Sequence, residues 1–119
     1  KLIGEIHMFD VGLIGGTFDR FHKGHLHLLS KSLEHCSELE VWINSDNLAK
    51  KKDSRVQTWE VRHHNIKSSL DEESLSRVSF GELEDKFGPA PIHERAQVIF
   101  STEDTMENCI EINKLRITL

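Results

Sequence analysis

The sequence is poor in cysteine and has no long apolar run. Its two cysteines, Cys36 and Cys109, lie far apart, without the CxxC or Cys/His spacing of a zinc site. We expect both to be reduced thiols, as in a cytoplasmic protein, and not a disulfide. No apolar stretch approaches the ~18 residues that span a bilayer, and residues 1–7 lack a signal-peptide pattern. A membrane protein is therefore not expected.

A basic excess is absent as well. Fifteen Lys and Arg residues stand against twenty Asp and Glu residues, for a formal net charge of -5. General nucleic-acid binders are strongly basic, so we expect no nucleic-acid partner, although a few cations could still bind a phosphorylated small molecule. With 119 residues, 37% of them hydrophobic, the chain is predicted to form one globular domain. We assign the domain to residues 8–119 and leave open whether residues 1–7 belong to the natural chain.

Apolar periodicity predicts alternating strands and helices. Short apolar runs predict four strands, at residues 8–14, 39–44, 77–80 and 96–100. Helical spacing of apolar residues begins at three places, near Lys23, after Thr58 and at Met106. The polar stretches 45–57 and 82–91 are predicted to be loops. This alternation predicts an α/β fold with a doubly wound parallel sheet, whose ligand lies beyond the carboxyl ends of the strands.

The segment GGTFDRFHKGH, residues 15–25, joins the first predicted strand to the first helix. Gly15 and Gly16 permit a close approach between the backbone and a ligand. The helix N-terminus behind them offers unpaired N–H groups and a positive dipole end. His22 and His25 lie three residues apart at this entrance, so both imidazoles can face the same phosphate. We interpret the segment as a polyphosphate site.

Other chemistries fit this segment less well. Neither a GxxxxGK[ST] loop nor a GxGxxG fingerprint is present, and no Ser-His-Asp or Cys-His arrangement is visible. His22 and His25 could ligate a metal, but no third ligand has suitable spacing, so no metal site is predicted. The alternative that both are surface histidines on a glycine-rich turn stays open. Elsewhere, His63 is predicted to lie partly under a helix face and His64 in solvent.

The same segment resembles the signature of the nucleotidyltransferase superfamily, in which a (T/H)xGH motif follows the first strand. The resemblance implies a single-domain, Rossmann-like nucleotidyltransferase fold. It implies that His22 and His25 hold the triphosphate and that Thr17 positions the attacking phosphate. Three glycines are expected to line the ATP site, namely Gly15, Gly16 and Gly24. No protein nucleophile is needed, because a phosphomonoester with a second pKa of about 6 is mostly dianionic at pH 7.

Further stretches resemble the archaeal type of phosphopantetheine adenylyltransferase. They are residues 50–52 and 56–62, residues 82–89, and residues 102–105 with 111–116. This resemblance implies that the chain transfers the adenylyl group of ATP to 4′-phosphopantetheine, giving dephospho-coenzyme A and pyrophosphate in coenzyme A biosynthesis. Mg²⁺ is expected to be carried by ATP. Since the family continues beyond the last stretch, a further C-terminal segment with its own ligand contacts is also expected.

The resemblance implies roles for four more side chains. Lys50 and Lys51 are expected to meet the acceptor phosphate, although lysines in a polar loop are often only solvated. Thr102 and Thr105 are expected at the ATP site, although Thr105 could instead cap the last helix. Asp19 is expected to orient its loop and not to touch substrate.

Two other functions stay open at this point. One is a cytidylyltransferase that acts on glycerol 3-phosphate or a related phosphorylated alcohol, and the other is a non-catalytic nucleotide-binding domain. The roles of Asp46 and Arg62 and the oligomeric state are also left open. Phe18, Phe21 and Trp42 are expected either to pack in the core or to line an apolar groove for the pantetheine arm.

Overall fold

The computed structural model describes residues 9–85, 87–101 and 106–118, with side chains from 109 to 115 in the last segment. Thr102, Thr105 and residues 1–7 lie outside the described residues. The elements in chain order are β1 (Phe9–Gly16), α1 (Lys23–Leu33), β2 (Cys36–Asn44), α2 (Asp46–Lys50), α3 (Trp59–Ser69), α4 (Glu72–Ser76), β3 (Val78–Leu83), a 3-10 turn (Ala90–Ile92), β4 (Val98–Phe100) and α5 (Met106–Thr118). In these segments, the helices are too short or too polar to cross a membrane.

The four strands form one parallel sheet in the order β3-β2-β1-β4. The chain moves outward from β1 through β2 to β3 and then returns to add β4 on the other side of β1. Strand order therefore reverses between β1 and β4, and a crevice forms beyond the carboxyl ends of the strands at such a point. The predicted parallel α/β sheet is confirmed.

Helices cover both faces of the sheet. The side chains of β1 alternate in direction and so pack against both layers. Ile14 packs on one face with Leu29 of α1 and Ile66 of α3. Val11 points to the other face and packs there in a cluster that includes Ile112 of α5. Each fully buried aliphatic side chain of this kind contributes about 1.5–3 kcal/mol. The two clusters confirm the doubly wound arrangement.

Several predicted boundaries were wrong. Strand β3 continues to Leu83, so its end occupies part of the predicted loop 82–91. Helix α2 lies in the predicted loop 45–57, where the Ser45 hydroxyl caps it by accepting a hydrogen bond from the Leu48 N–H at 3.1 Å. A helix of five residues is too short to show an apolar period. Thr58 does cap α3, as predicted.

Candidate active site

A cleft of about 960 Å³ opens beyond the carboxyl ends of the strands. One side is polar, with the side chains of Thr17, Asp19, His22, His25, Asn44, Lys51 and Lys52. Its apolar lining residues include Leu83, Phe87, Ile99 and Ile112. The cleft therefore combines groups that bind an anion with a surface that suits an uncharged part of the same ligand.

His22 and His25 form a capping box at the start of α1. The Gly24 N–H donates to Nδ1 of His22 at 3.0 Å, and the His22 N–H donates to Nδ1 of His25 at 3.2 Å. Because each Nδ1 accepts a hydrogen bond, the proton of each neutral ring must lie on Nε2. The backbone thus fixes both tautomers and leaves Nε2–H as the donor of each neutral ring.

The rings are also held by stacking. Their centroids lie 3.9 Å apart with 19° between the planes, and Phe21 stacks on the His25 ring at 5.3 Å. Burial and the neighbouring His22 lower the pKa of His25, while Asp19 acts in the opposite direction. His25 is therefore biased toward its neutral, Nε2-protonated form at pH 7.

Gly24 makes room for this arrangement. A Cβ at position 24 would lie 2.9 Å from Cε1 and 3.1 Å from Nδ1 of His22. Any side chain at Gly24 would push the His22 ring away from the helix N-terminus, because real Cβ contacts are rarely so short. The glycine in the HKGH sequence thus has a packing role in addition to its place at the cleft.

Hydrogen bonds to Gln57 hold the loop between β1 and α1 in place. Phe18 and Arg20 have φ angles of 55° and 47°, in the left-handed region that non-glycine residues seldom occupy. Asp19 Oδ1 accepts a hydrogen bond from the Gln57 N–H at 2.9 Å, and the Arg20 N–H donates to Gln57 Oε1 at 3.0 Å. These bonds hold the loop, and they agree with the expected orienting role of Asp19.

Arg62 links the ends of β1 and β2. Its side chain is fully buried, and its Nη1 donates to the carbonyl oxygens of Thr17 at 2.9 Å and Asn44 at 2.8 Å. The other guanidinium nitrogens donate to the Gln57 carbonyl and to Oδ1 of Asp46. A buried guanidinium requires such partners, so Arg62 has a structural role beneath the polar side of the cleft.

Trp42 forms part of the cleft wall near the edge of the sheet. Its ring lies against the backbone of β3, where a Cβ at Gly81 would come within 2.5 Å of Cζ3. The indole N–H donates to Glu40 Oε1 at 3.1 Å, and Glu40 Oε2 is 2.9 Å from His93 Nε2. Trp42 thus lines the cleft, and Phe18 is a core residue that also touches it.

The profile of one protein family, described as cytidylyltransferase-like, matches residues 13–118. The chain belongs to the cytidylyltransferase-like family. Solved structures agree at the level of fold. A protein of unknown function from Archaeoglobus fulgidus superposes with a TM-score of 0.79 at 19% identity, over 90% of this chain and 87% of that one. A bifunctional NMN adenylyltransferase/ADP ribose pyrophosphatase from Francisella tularensis gives 0.62 at 20% identity, over 90% and 36%.

Archaeal relatives of this cytidylyltransferase-like chain confirm the predicted resemblance. The phosphopantetheine adenylyltransferase of Methanopyrus kandleri is 31% identical over 106 residues, covering 87% of this chain and 68% of the relative. That of Methanothermobacter thermautotrophicus is 32% identical, covering 87% and 62%. A bifunctional phosphopantetheine adenylyltransferase/NTP phosphatase of Thermoplasma volcanium is 27% identical, covering 90% and 33%. The chain thus spans about two thirds of the single-function relatives and one third of the bifunctional one.

Most of the predicted site residues meet in this cytidylyltransferase-like cleft. Those that line it are Gly15, Gly16, Thr17, His22, Gly24, His25 and Lys51. Lys50 is exposed and is not among the described residues that line the cleft, whereas Lys52 is. Thr102 and Thr105 lie outside the described residues. The roles assigned to all these side chains stay predictions.

Asn44 was missed by the sequence analysis. It ends β2, lines the cleft, and donates from Nδ2 to the Thr17 hydroxyl at 2.8 Å. A polar residue at the carboxyl end of a predicted strand was the signal that could have indicated it, because such ends meet at one edge of a parallel sheet. The role of Arg62 was left open, and its burial was not predicted, since an arginine at helical spacing is usually exposed.

Proposed function

We propose that this chain transfers the adenylyl group of ATP to 4′-phosphopantetheine, releasing pyrophosphate and dephospho-coenzyme A. The observation that carries the proposal is the pair of tautomer-locked imidazoles, His22 and His25, at the N-terminus of α1 in the cleft. The archaeal relatives support phosphopantetheine as the acceptor. The proposed domain is residues 8–119, and the two free thiols fit a cytoplasmic location.

The proposed reaction is a direct displacement at phosphorus. A phosphate oxygen of the acceptor attacks the α-phosphorus of ATP, and the bond from that phosphorus to the β-bridging oxygen breaks, so that pyrophosphate leaves with the electron pair. His22 and His25 donate from Nε2–H to ATP phosphate oxygens and stabilise the charge that grows during the displacement. Since the acceptor phosphate is already mostly dianionic near pH 7, no side-chain base is required.

A covalent intermediate on the protein is not part of this proposal. Cys109 lines the cleft, but burial raises the pKa of its thiol. A protonated thiol is a weak nucleophile, so Cys109 is poorly suited to attack phosphorus at neutral pH. Positioning two negatively charged substrates and offsetting their repulsion is then the main work of the protein.

The acceptor binds at the β2–β3 side of the cleft in this proposal. The Thr17 hydroxyl and the Lys51 and Lys52 ammonium groups donate to its phosphate. Trp42 and Leu83 form an apolar surface on the same side, which suits the long, mostly uncharged pantetheine arm. ATP then occupies the side toward β4 and α5.

Mg²⁺ enters with ATP in this proposal. Asp19 is the carboxylate among the described cleft-lining residues, and its oxygens already accept hydrogen bonds from Arg20 and Gln57. Within the described ranges, no group of three or more His, Cys, Asp or Glu side chains is arranged for a metal ion. The donor set therefore suits an ion held mainly by substrate phosphate oxygens, which Mg²⁺ commonly uses.

The proposal is tested by measuring pyrophosphate release and analysing the product by mass. With Mg²⁺, we expect ATP and 4′-phosphopantetheine to yield pyrophosphate and dephospho-coenzyme A, whereas ATP and glycerol 3-phosphate should yield neither. Faster release from CTP and glycerol 3-phosphate would overturn the assignment of 4′-phosphopantetheine as acceptor and of ATP as nucleotide substrate. Only the family membership would then stand. Nucleotide binding without pyrophosphate release from any pair would favour a non-catalytic domain.

A further inference from the structure

The ends of β1 and β2 place two polar side chains together. Gly16 pairs with Ile43 in the parallel register, so Thr17 and Asn44 are the next residues along each strand. Asn44 Nδ2 donates to the Thr17 hydroxyl oxygen at 2.8 Å, and both residues line the cleft. The pair thus forms where two strand ends meet, at the floor of the proposed reaction site.

The backbone beneath this pair is held by a single side chain. The same Nη1 atom of Arg62 donates to the carbonyl oxygens of Thr17 and Asn44. Because the guanidinium is fully buried and also bonded to Asp46 and Gln57, it has little freedom to move. The distance between Thr17 and Asn44 is therefore set before any ligand arrives.

The bond between the two side chains has a direction. A hydroxyl group has one proton to donate and two lone pairs with which to accept. Since the Asn44 amide N–H takes up one lone pair of Thr17, the hydroxyl cannot give its proton to that nitrogen. The proton is left to donate elsewhere, and phosphate oxygens are strong acceptors.

We propose that Asn44 is a positioning residue that orients the Thr17 hydroxyl as a hydrogen-bond donor to the phosphomonoester of the acceptor substrate. This inference rests on the proposed function and deepens it. Asn44 acts through Thr17 and not by its own contact with the α-phosphorus. The pair then favours an acceptor that presents a dianionic phosphate over one that presents a neutral hydroxyl.

A double-mutant cycle tests whether Asn44 acts through Thr17. We expect Asn44→Ala to lower kcat/KM for 4′-phosphopantetheine about 5- to 10-fold, the size of one hydrogen bond, and to change KM for ATP less than about 2-fold. Thr17→Val should cause a similar or larger loss, and the double variant should match Thr17→Val alone. Losses that multiply in the double variant, or an equal effect on ATP, would overturn the inference.

Three further variants distinguish a positioning role of Asn44 from a general loss of structure. Asn44→Asp should lose more than Asn44→Ala, because a carboxylate would accept the Thr17 proton and repel the acceptor phosphate. Asn44→Gln should not restore the activity, since its longer side chain displaces the amide. Asn47→Ala, on the exposed surface of α2, should match the wild type. Thermal unfolding of each variant checks that the fold is retained.

Binding of inorganic phosphate distinguishes this inference from the proposed function. If the wild type gave no pyrophosphate from ATP and 4′-phosphopantetheine, the proposed function would fail, and phosphate binding by NMR titration would still test the pair. Phosphate should bind Asn44→Ala and Thr17→Val about 5-fold more weakly than the wild type. Equal phosphate affinity in all three proteins would overturn the positioning role of Asn44.

Discussion

The two ends of the cleft that carry basic side chains are built very differently. At the histidine end, backbone N–H groups fix both rings of His22 and His25, and stacking holds their planes. At the lysine end, Lys51 and Lys52 follow a five-residue helix and are exposed. Ordering a free lysine side chain costs about 1.5–2 kcal/mol, whereas the histidines are ordered beforehand. We therefore expect the histidine end to act mainly on kcat and the lysine end mainly on KM.

The largest expected effect comes from His25. His25→Ala should lower kcat about 100- to 1000-fold, the usual cost of losing one preorganised donor to developing charge. Its effect on stability should be about 0.5–2 kcal/mol, because one cap contact and the ring contacts with His22 and Phe21 are lost. His25→Asn should lower kcat as strongly but keep more stability, since its carbonyl can still accept from the His22 N–H. Steady-state kinetics and urea unfolding measure the two effects.

His64 provides the matched control for this prediction. It is exposed on α3, and its Nε2 lies 3.3 Å from the Ser68 hydroxyl. His64→Ala should keep the turnover and the stability of the wild type. Near wild-type turnover of a folded His25→Asn variant would mean that the histidine end does not stabilise the transition state, and the contrast between the two ends would disappear.

A smaller effect is expected at the lysine end. Replacing Lys51 and Lys52 together by Ala should raise KM for 4′-phosphopantetheine about 10-fold, as for the loss of a hydrogen bond to a charged group, and leave KM for ATP nearly unchanged. Lys50→Ala is the control and should have little effect, because Lys50 lies outside the described lining of the cleft. Equal increases in both KM values would indicate a general electrostatic field and not an acceptor site.

The smallest effect concerns stability and pH, without any ligand. Burial, followed by His22, holds the pKa of His25 below its ordinary value of 6.5. The unfolded chain therefore binds this proton at a higher pH than the folded chain. The stability that the neutral ring contributes is fully present above pH 6.5 and is lost as pH falls through the folded pKa.

Unfolding experiments on His25→Asn measure this contribution. Between roughly pH 7.5 and pH 5, the wild type should lose more unfolding free energy than the variant. His63, whose pKa is also lowered by burial, remains in both proteins and cancels in the difference. Identical pH slopes would show that the histidine end does not hold His25 neutral before a ligand binds, and would weaken the claim that this end is preorganised.

The histidine end could be predicted because all its parts are close together in the chain. Residues 15–25 contain the glycines, the two imidazoles and the helix start, so local spacing alone indicates their proximity. The Asn44–Thr17 bond joins residues 27 apart, and Arg62 reaches back 45 residues to Thr17. Such pairs depend on strand register and helix packing, which a single sequence does not encode as a pattern.

The lysine end shows the same limit on a smaller scale. The sequence pattern does not distinguish three consecutive lysines in a polar stretch, Lys50, Lys51 and Lys52. The prediction assigned the acceptor phosphate to Lys50 and Lys51. The structure ends α2 at Lys50 and places Lys51 and Lys52 at the cleft. Lys50 belongs to the helix and Lys51 and Lys52 follow it, so the choice among the three depends on where a five-residue helix ends.

The sequence by itself determined the alternation of strands and helices and the position of the anion-binding turn. These depend on the local period of apolar residues and on the backbone freedom of adjacent glycines. Only the tertiary structure decided that Asn44 meets Thr17, that Arg62 lies buried beneath them and that Trp42 lies over Gly81. The physical reason is that parallel strands are joined through intervening helices, so the neighbours of a side chain are set by how the sheet assembles.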